Sequence, residues 1–142
     1  QSDLIKAYNK RLFSGNIREE MAFGQHWSAW ENALASIVSD GISARAPADY
    51  ARTFARLENH YFINNGFLDD KDAILSNMDK IENIPGNIVQ GRFDMICPPT
   101  SAFKLFEKWP SAKIKIVPQA GHAMSEPGIS SELVQITNEL VS

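Results

Sequence analysis

Residues 84–94, with the sequence IPGNIVQGRFD, decide the fold of this chain. Within them, Ile88 to Gln90 form a short, mostly apolar run that Gly91 closes. Such a run is too short for a helix and is typical of a strand buried in a parallel sheet. Asp94 follows soon after the glycine. The stretch therefore predicts a strand whose C-terminal end carries a carboxylate.

The segment after this strand has the features of a helix. Pro98 and Pro99 lead into it, with Thr100 or Ser101 as the expected cap, and Pro110 ends it. This segment therefore predicts a helix that connects the first strand to a second one.

The second strand is expected at Lys113–Val117, where polar and apolar residues alternate with a period of two. Gly121 and His122 lie in the loop after it, and Ser130 or Ser131 then starts a last amphipathic helix. The C-terminal part of the chain thus predicts the order strand, helix, strand, helix. Because a buried parallel strand needs neighbours on both edges, we expect this segment to be the end of a larger sheet whose other strands lie outside this chain.

Asp94 and His122 follow the two predicted strands and are the candidate catalytic residues. In open α/β sheets, functional groups collect on the loops beyond the carboxyl ends of the strands. An acid placed there can hold a histidine ring in one tautomer while the histidine takes the proton of a serine. The order acid before histidine is also the order found after the serine in α/β-hydrolases. The fold class we predict is therefore α/β, the C-terminal part of an α/β-hydrolase.

Residues 1–83 carry helical patterns and are expected to form a helical cap ahead of the core at residues 84–142. Apolar residues recur at helical spacing in Met21–Val38 and again from Ala48 to Phe62, and a shorter helix is expected from Asp70 to Ile81. The residues expected on the apolar faces are Phe23, Trp27, Trp30, Leu34, Ile37 and Val38 in the first helix and Phe54, Leu57 and Tyr61 in the second.

Glu31 and Glu58 fall on or beside these apolar faces. A carboxylate in apolar surroundings is costly unless a cation or hydrogen-bond donors satisfy it. Two interpretations stay open. In the structural one, the glutamates form salt bridges to an arginine such as Arg45, Arg52 or Arg56, or lie at a helix edge that is more hydrated than the pattern suggests. In the functional one, they receive the ammonium group of a ligand in a pocket lined by aromatic rings.

The composition excludes several classes of function. A net charge of -3 gives no electrostatic reason to expect nucleic acid or an anionic membrane as partner. No run approaches the ~18 apolar residues that a membrane span needs. Cys97 is the single cysteine, which excludes an internal disulfide and a multi-cysteine metal site. A lone thiol fits a reducing compartment, so we expect a cytoplasmic protein, and no metal or organic cofactor is implied.

Several stretches together resemble a known family, the proline iminopeptidases, which are serine aminopeptidases of the α/β-hydrolase fold that remove N-terminal proline from peptides. The resemblance runs through most of the chain. It rests on Trp30-Glu31-Asn32, residues 54–62 (FARLENHYF), Ile84-Pro85-Gly86, Gly91-Arg92-Phe93-Asp94 and Ala120-Gly121-His122.

The resemblance implies a role for each candidate residue. Asp94 would be the acid of the catalytic triad and His122 the general base. Glu31 and Glu58 match the cap glutamates that recognise the free imino group of the substrate, and Phe62 matches an aromatic residue that lines the pocket for the prolyl ring. The implied partner is a peptide with an N-terminal proline.

The chain departs from the family in lacking the Gly-x-Ser-x-Gly elbow and the His-Gly-Gly oxyanion motif. We therefore expect a C-terminal fragment that is inactive without an N-terminal half carrying the serine. When isolated it should self-associate or rearrange its cap, because strand edges and apolar faces are exposed. Two alternatives remain: another α/β-hydrolase, such as an epoxide hydrolase or esterase, and a non-catalytic binding module.

Overall fold

A computed structural model describes residues 2–37 and 46–141. Val38 and Arg45, which enter the predictions above, lie outside the described residues. The described residues group into two compact units, one formed by residues 2–33 and 46–69 and the other by residues 34–37 and 70–141. The proposed boundary between cap and core at residue 84 stays a prediction.

The first unit is helical and is built from α1 (Ser2–Leu12), most of α2 (Ile17–Ala35) and α3 (Ala48–Ile63). Gly24 on α2 permits a close approach of α3, since a Cβ at this position would lie 2.7 Å from the Cα of Arg52. The core consists of Leu12, Trp27 and Ala55, with Ile5, Tyr8, Phe23 and Phe54 packed around it.

The apolar faces predicted for α2 and α3 are only partly buried. Trp30 is 62% exposed, and Leu57 and Tyr61 are exposed as well. The buried face of α3 instead carries small or polar residues, namely Ala51, Ala55 and Asn59. The amide of Asn59 donates to the Ile5 carbonyl oxygen at 3.0 Å and accepts a hydrogen bond of 2.7 Å from Asn9. Close helix packing thus favours small side chains and an amide whose nitrogen and oxygen are both hydrogen-bonded. Hydrophobic periodicity does not predict a buried face of this composition.

The helix predicted for Asp70–Ile81 is wrong. The structure has turns there and one short 3-10 helix at Leu75–Lys80, and another 3-10 helix precedes the range at Asn65–Phe67. Asp70 accepts a hydrogen bond from the backbone N–H of Asp72 at 2.6 Å, and Asn77 donates to the Ala73 carbonyl oxygen at 2.7 Å. Short polar side chains that bond to nearby backbone compete with a regular helix.

The second unit contains a parallel sheet formed by β1 (Gly86–Gly91) and β2 (Ala112–Val117). The two strands are in register from Gly86 opposite Ala112 to Gly91 opposite Val117, so their C-terminal ends lie side by side. They are joined by α4 (Pro99–Glu107) and followed by α5 (Pro127–Leu140). The predicted α/β class and strand–helix–strand–helix order are confirmed. The core is made of Val117, Ala120 and Ile129, packed with Val89 and Leu133.

Both helices of this unit start earlier than predicted. The cap of α4 is Pro98 rather than Thr100 or Ser101, because Pro99 already occupies the first turn. In the same way α5 starts at Pro127, ahead of Ser130 and Ser131. Proline fits the first helical turn because its φ is preset and its missing N–H would have no partner there. In both cases proline therefore marks the start of the helix better than a hydroxyl side chain does.

Within residues 2–37 and 46–141, no helix combines the length and apolar character needed to cross a bilayer.

Candidate active site

The loops that follow β1 and β2 are bound directly to each other. The backbone N–H of Phe93 donates to the carbonyl oxygen of Ala120 at 3.0 Å. A Cβ on Gly91 would lie 1.9 Å from the carbonyl oxygen of Gly121, so only glycine permits this approach. The two glycines singled out in the sequence, Gly91 at the end of β1 and Gly121 in the loop after β2, thus allow the two candidate catalytic loops to approach each other.

Asp94 and His122 meet at this place. His122 Nδ1 lies 2.9 Å from Asp94 Oδ2. An ionised carboxylate can only accept, so Nδ1 carries the hydrogen of this bond and Nε2 is left with its lone pair as a base. The side chain of His122 is 41% exposed and that of Asp94 only 6% exposed. A buried acid that orients an accessible imidazole is the arrangement needed to take a proton from a nucleophile.

The carboxylate of Asp94 is held by several donors. Its Oδ1 accepts the backbone N–H groups of Ile96 at 2.9 Å and Cys97 at 2.7 Å. Burial acts to raise the pKa of the Asp94 carboxyl, but the N–H of Cys97, the ring of His122 and the N–H of Ile96 outweigh it and hold the pKa below its ordinary value. Asp94 is therefore ionised at every pH at which a histidine can act as a base.

Gln90 is a residue of this site that the sequence analysis missed. Its side chain is buried in β1, and its Nε2 lies 3.2 Å from Asp94 Oδ2, 3.1 Å from the Gly91 carbonyl oxygen and 3.2 Å from the Cys97 carbonyl oxygen. The amide thus ties the catalytic carboxylate to the end of its own strand. A polar residue inside a short apolar strand was the available signal, because a buried amide needs partners.

Glu58 lies among aromatic rings in the first unit. Its Oε2 accepts a hydrogen bond of 2.7 Å from Trp27 Nε1. The ring of Phe62 lies 5.9 Å from the ring of Trp27, at an angle of 32°. Glu58 is half-buried and Phe62 is 50% exposed, so this carboxylate and its neighbouring ring are open to a ligand. The structure thus brings together two of the three predicted substrate-binding residues through a tryptophan.

Glu31, the third of them, is buried on α2, with 8% of its surface exposed. Two of the arginines considered as partners, Arg52 and Arg56, both form ion pairs with Glu20, at 2.5 and 2.8 Å. Those contacts, with the backbone N–H of Gly15, satisfy a buried carboxylate that the sequence analysis did not single out. In the part of the chain that the structure describes, no ion pair joins Glu58 to an arginine.

No serine hydroxyl of the described residues forms a hydrogen bond with His122. The described ranges also contain no group of three histidine, cysteine, aspartate or glutamate side chains placed to hold a metal ion. The chemistry that these residues offer is therefore an acid–base pair in one unit and a carboxylate among aromatic rings in the other.

Comparison with known proteins places this chain among peptidase relatives. It is 44% identical over 140 residues to a proline iminopeptidase of Arabidopsis thaliana, covering 97% of this chain and 37% of the relative. It is 42% identical over 141 residues to a proline iminopeptidase of Xylella fastidiosa, an alignment that covers 98% of this chain and 45% of the relative. It is 41% identical over 144 residues to a probable proline iminopeptidase of Leptolyngbya boryana, with 100% of this chain and 45% of the relative covered. The chain thus spans less than half the length of these curated relatives. No family model matches the sequence.

A protein of known structure shares the fold of this chain. An esterase from Exiguobacterium antarcticum superposes with a TM-score of 0.52 over 100% of this chain and 49% of the esterase, at 17% sequence identity. This likeness concerns the fold alone, which is that of an α/β-hydrolase. The chain is therefore a relative of the proline iminopeptidases, and it corresponds to a C-terminal portion of those proteins.

Proposed function

We propose that this chain supplies the acid, the base and the amine-recognition residues of a serine aminopeptidase that releases N-terminal proline from peptides. The observation that carries the proposal is the 2.9 Å contact between His122 and Asp94 in a chain that is 44% identical to a named proline iminopeptidase. Residues 1–83 would act as the helical cap that recognises the substrate, and residues 84–142 as the end of the catalytic core.

In the proposed reaction, Nε2 of His122 removes the proton from a serine hydroxyl, whose oxygen attacks the carbonyl carbon of the N-terminal proline. The C–N bond to the next residue breaks, and His122 returns the proton to the departing amine. Water then attacks the prolyl ester with His122 again as base, and free proline leaves. Asp94 keeps Nδ1 protonated and stabilises the imidazolium in both steps, which its low pKa permits.

Glu31 and Glu58 would bind the positively charged imino group of the substrate. An exopeptidase must recognise this charge at a fixed distance from the scissile carbonyl, and carboxylates form strong charge-assisted hydrogen bonds to it. The support for Glu58 is its hydrogen bond to Trp27, which restrains the carboxylate, and its half-burial. Phe62, exposed beside Trp27, would contact the prolyl ring.

The serine and the oxyanion hole would come from the N-terminal portion that the longer relatives possess, so the chain by itself would not hydrolyse peptides. Without that portion we expect it to self-associate, because β1 has an edge to which a further strand can add. Sedimentation of the isolated chain as a monomer at high concentration would contradict this expectation. The single cysteine fits a reducing compartment, and we propose that the enzyme acts in the cytoplasm.

The direct test is to join this chain to the N-terminal portion of a proline iminopeptidase, which carries the serine elbow, and to measure release of a chromophore from a prolyl amide. We call this protein the joined enzyme. It should hydrolyse the prolyl amide and should fail on the same substrate with an acetylated imino nitrogen, which bears no charge. A folded joined enzyme that releases no proline would refute the proposed substrate, and one that cleaves both substrates equally would refute recognition of the charge.

A further inference from the structure

Glu126 is a buried carboxylate next to the loop that carries His122. Only 9% of its surface is exposed. Its Oε2 accepts the backbone N–H of Gly121 at 3.0 Å, and its Oε1 accepts the backbone N–H of Ile37 at 2.7 Å. One side chain thus joins the residue before the candidate base to a chain segment 89 residues away from Glu126.

The same segment, which contains Ala35 and Ile37, makes a second contact with the loop that carries His122, here called the histidine loop. The backbone N–H groups of His122 and Ala123 both donate to the carbonyl oxygen of Ala35, each at 2.7 Å. The packing here is tight, since a Cβ on Gly121 would lie 2.9 Å from that oxygen and 3.3 Å from Glu126 Oε1. The peptide groups on both sides of His122 are therefore held by residues outside the loop.

The carboxylate of Glu126 accepts its hydrogen bonds from the histidine loop and from Ile37, and none from the helix that it precedes. Glu126 is the N-cap residue of α5, a position where an acidic side chain ordinarily accepts a hydrogen bond from the first turn. Its side chain makes no such bond, and both oxygens are used by Gly121 and Ile37. A carboxylate is needed for this, because its two oxygens accept from two donors at once, whereas an amide side chain has one accepting oxygen.

We propose that Glu126 is a positioning residue that fixes the backbone of the histidine loop and thereby the direction in which His122 presents its ring. The proposal rests on the proposed function, in which His122 is the base. Glu126 itself touches no reacting atom. Its carboxylate bridges the backbone N–H groups of Gly121 and Ile37 and so fixes the position of the loop. The imidazole of His122 thereby keeps its contact with Asp94 and a constant distance to the nucleophile.

The test compares Glu126→Gln with the matched control Glu132→Gln in the joined enzyme. Glu132 lies on α5 as well, but it forms only a surface ion pair with Lys115. Glu126→Gln should lower kcat for the prolyl amide roughly ten- to hundredfold, as expected for a misplacement of about 1 Å, with little change in KM. Glu132→Gln should leave both constants unchanged. The proton resonance of His122 Nδ1–H should broaden or move in Glu126→Gln and stay in place in the control.

An unchanged kcat together with an unchanged His122 resonance in folded Glu126→Gln would overturn the proposal. If that variant does not fold, Glu126→Asp decides the question. It keeps the charge but is too short to reach both donors, so it should lose kcat in the same way, and full activity would overturn the proposal. If the unmodified joined enzyme releases no proline, the proposed function fails separately, and the positioning role is still measured by the His122 resonance, which needs no substrate.

Discussion

The imidazole of His122 and the carboxylate of Asp94 lie 2.9 Å apart, although 28 residues separate them along the chain. Parallel pairing of β1 and β2 explains this contact, because Gly91 and Val117 end their strands side by side. The loop N–H of Phe93 then binds the carbonyl oxygen of Ala120, so both loops leave the sheet in fixed directions. The acid–base pair is therefore built on the parallel pairing of the two strands.

Replacing the acid tests the proposed catalytic pair. Asp94→Asn in the joined enzyme should lower kcat on the order of 10⁴-fold, because an amide can hold the ring in the wrong tautomer. KM should change little, since the residue does not contact the imino group in the proposed mechanism. The measurement is steady-state hydrolysis of the prolyl amide, with Asp79→Asn, at an exposed position of the same unit, as control. Loss of less than tenfold would argue against a triad that contains Asp94.

Recognition of the charged imino group is tested at Glu58. In Glu58→Gln, loss of a charge-assisted hydrogen bond of about 1.5–3 kcal/mol should lower kcat/KM for the prolyl amide about 10- to 100-fold. Hydrolysis of a neutral acetate ester by the same variant should stay nearly the same, because that substrate has no ammonium group. If the joined enzyme is instead an esterase or epoxide hydrolase, Glu58→Gln will leave turnover of its best substrate intact.

Trp27 restrains the recognition carboxylate through its indole N–H, which lies 2.7 Å from Glu58 Oε2. Trp27→Phe removes that donor but keeps an aromatic ring in the core. We expect kcat/KM for the prolyl amide to fall about 3- to 10-fold, the range for one hydrogen bond of about 0.5–1.5 kcal/mol. Trp30→Phe, at a largely exposed position of the same helix, is the control and should have no effect. Equal losses in both variants would show that the hydrogen bond is unimportant.

The parts of this structure that could be predicted from sequence are those governed by local rules. The period-two strand at 113–117 and the short apolar strand before Gly91 were predictable because side-chain alternation and length limit what such segments can form. The placement of Asp94 beside His122 followed from parallel strands, whose carboxyl ends lie at one edge of the sheet. Their catalytic role remains a prediction.

What could not be predicted depends on contacts between segments distant in sequence. Glu126 binds Ile37 across 89 residues, and no local pattern signals such a partner. The exposure of Leu57 and Tyr61 depends on which face of α3 packs closely against its neighbours. The turns at residues 70–81 form because aspartate and asparagine side chains bind their own backbone, which competes with an otherwise plausible helix.

The low pKa of Asp94 predicts how stability depends on pH. A carboxyl whose pKa is lowered on folding stabilises the folded state above its ordinary value of 3.8, and this contribution is lost as the pH falls through the lowered value. The free energy of unfolding of the joined enzyme should therefore exceed that of Asp94→Asn at neutral pH, and the difference should shrink below pH 3.8. Urea unfolding across this range measures it. A difference that is constant down to the lowest pH would contradict the lowered pKa.

Gly91 is the position where one added methyl group should disturb both folding and catalysis. The Cβ of Gly91→Ala would lie 1.9 Å from the carbonyl oxygen of Gly121 and 2.7 Å from that of Ala120, and both are backbone atoms that cannot rotate away. The histidine loop must then move by about 1 Å, which we expect to lower kcat roughly 100-fold. Overpacking of this kind should also lower the free energy of unfolding by about 1–3 kcal/mol.

The control for this variant is Asn87→Ala, at an exposed position of the same strand, which should leave both quantities close to those of the unmodified joined enzyme. Urea unfolding and prolyl amide hydrolysis, measured on the same preparations, separate the two effects. A stable Gly91→Ala with low kcat would mean that the loop relaxes without unfolding the sheet, at the expense of the contact between His122 and Asp94. Full activity and stability would show that the carbonyl oxygen of Gly121 leaves room for a Cβ on Gly91, contrary to the distance of 1.9 Å in the structure. The two loops would then not be fixed by their glycines.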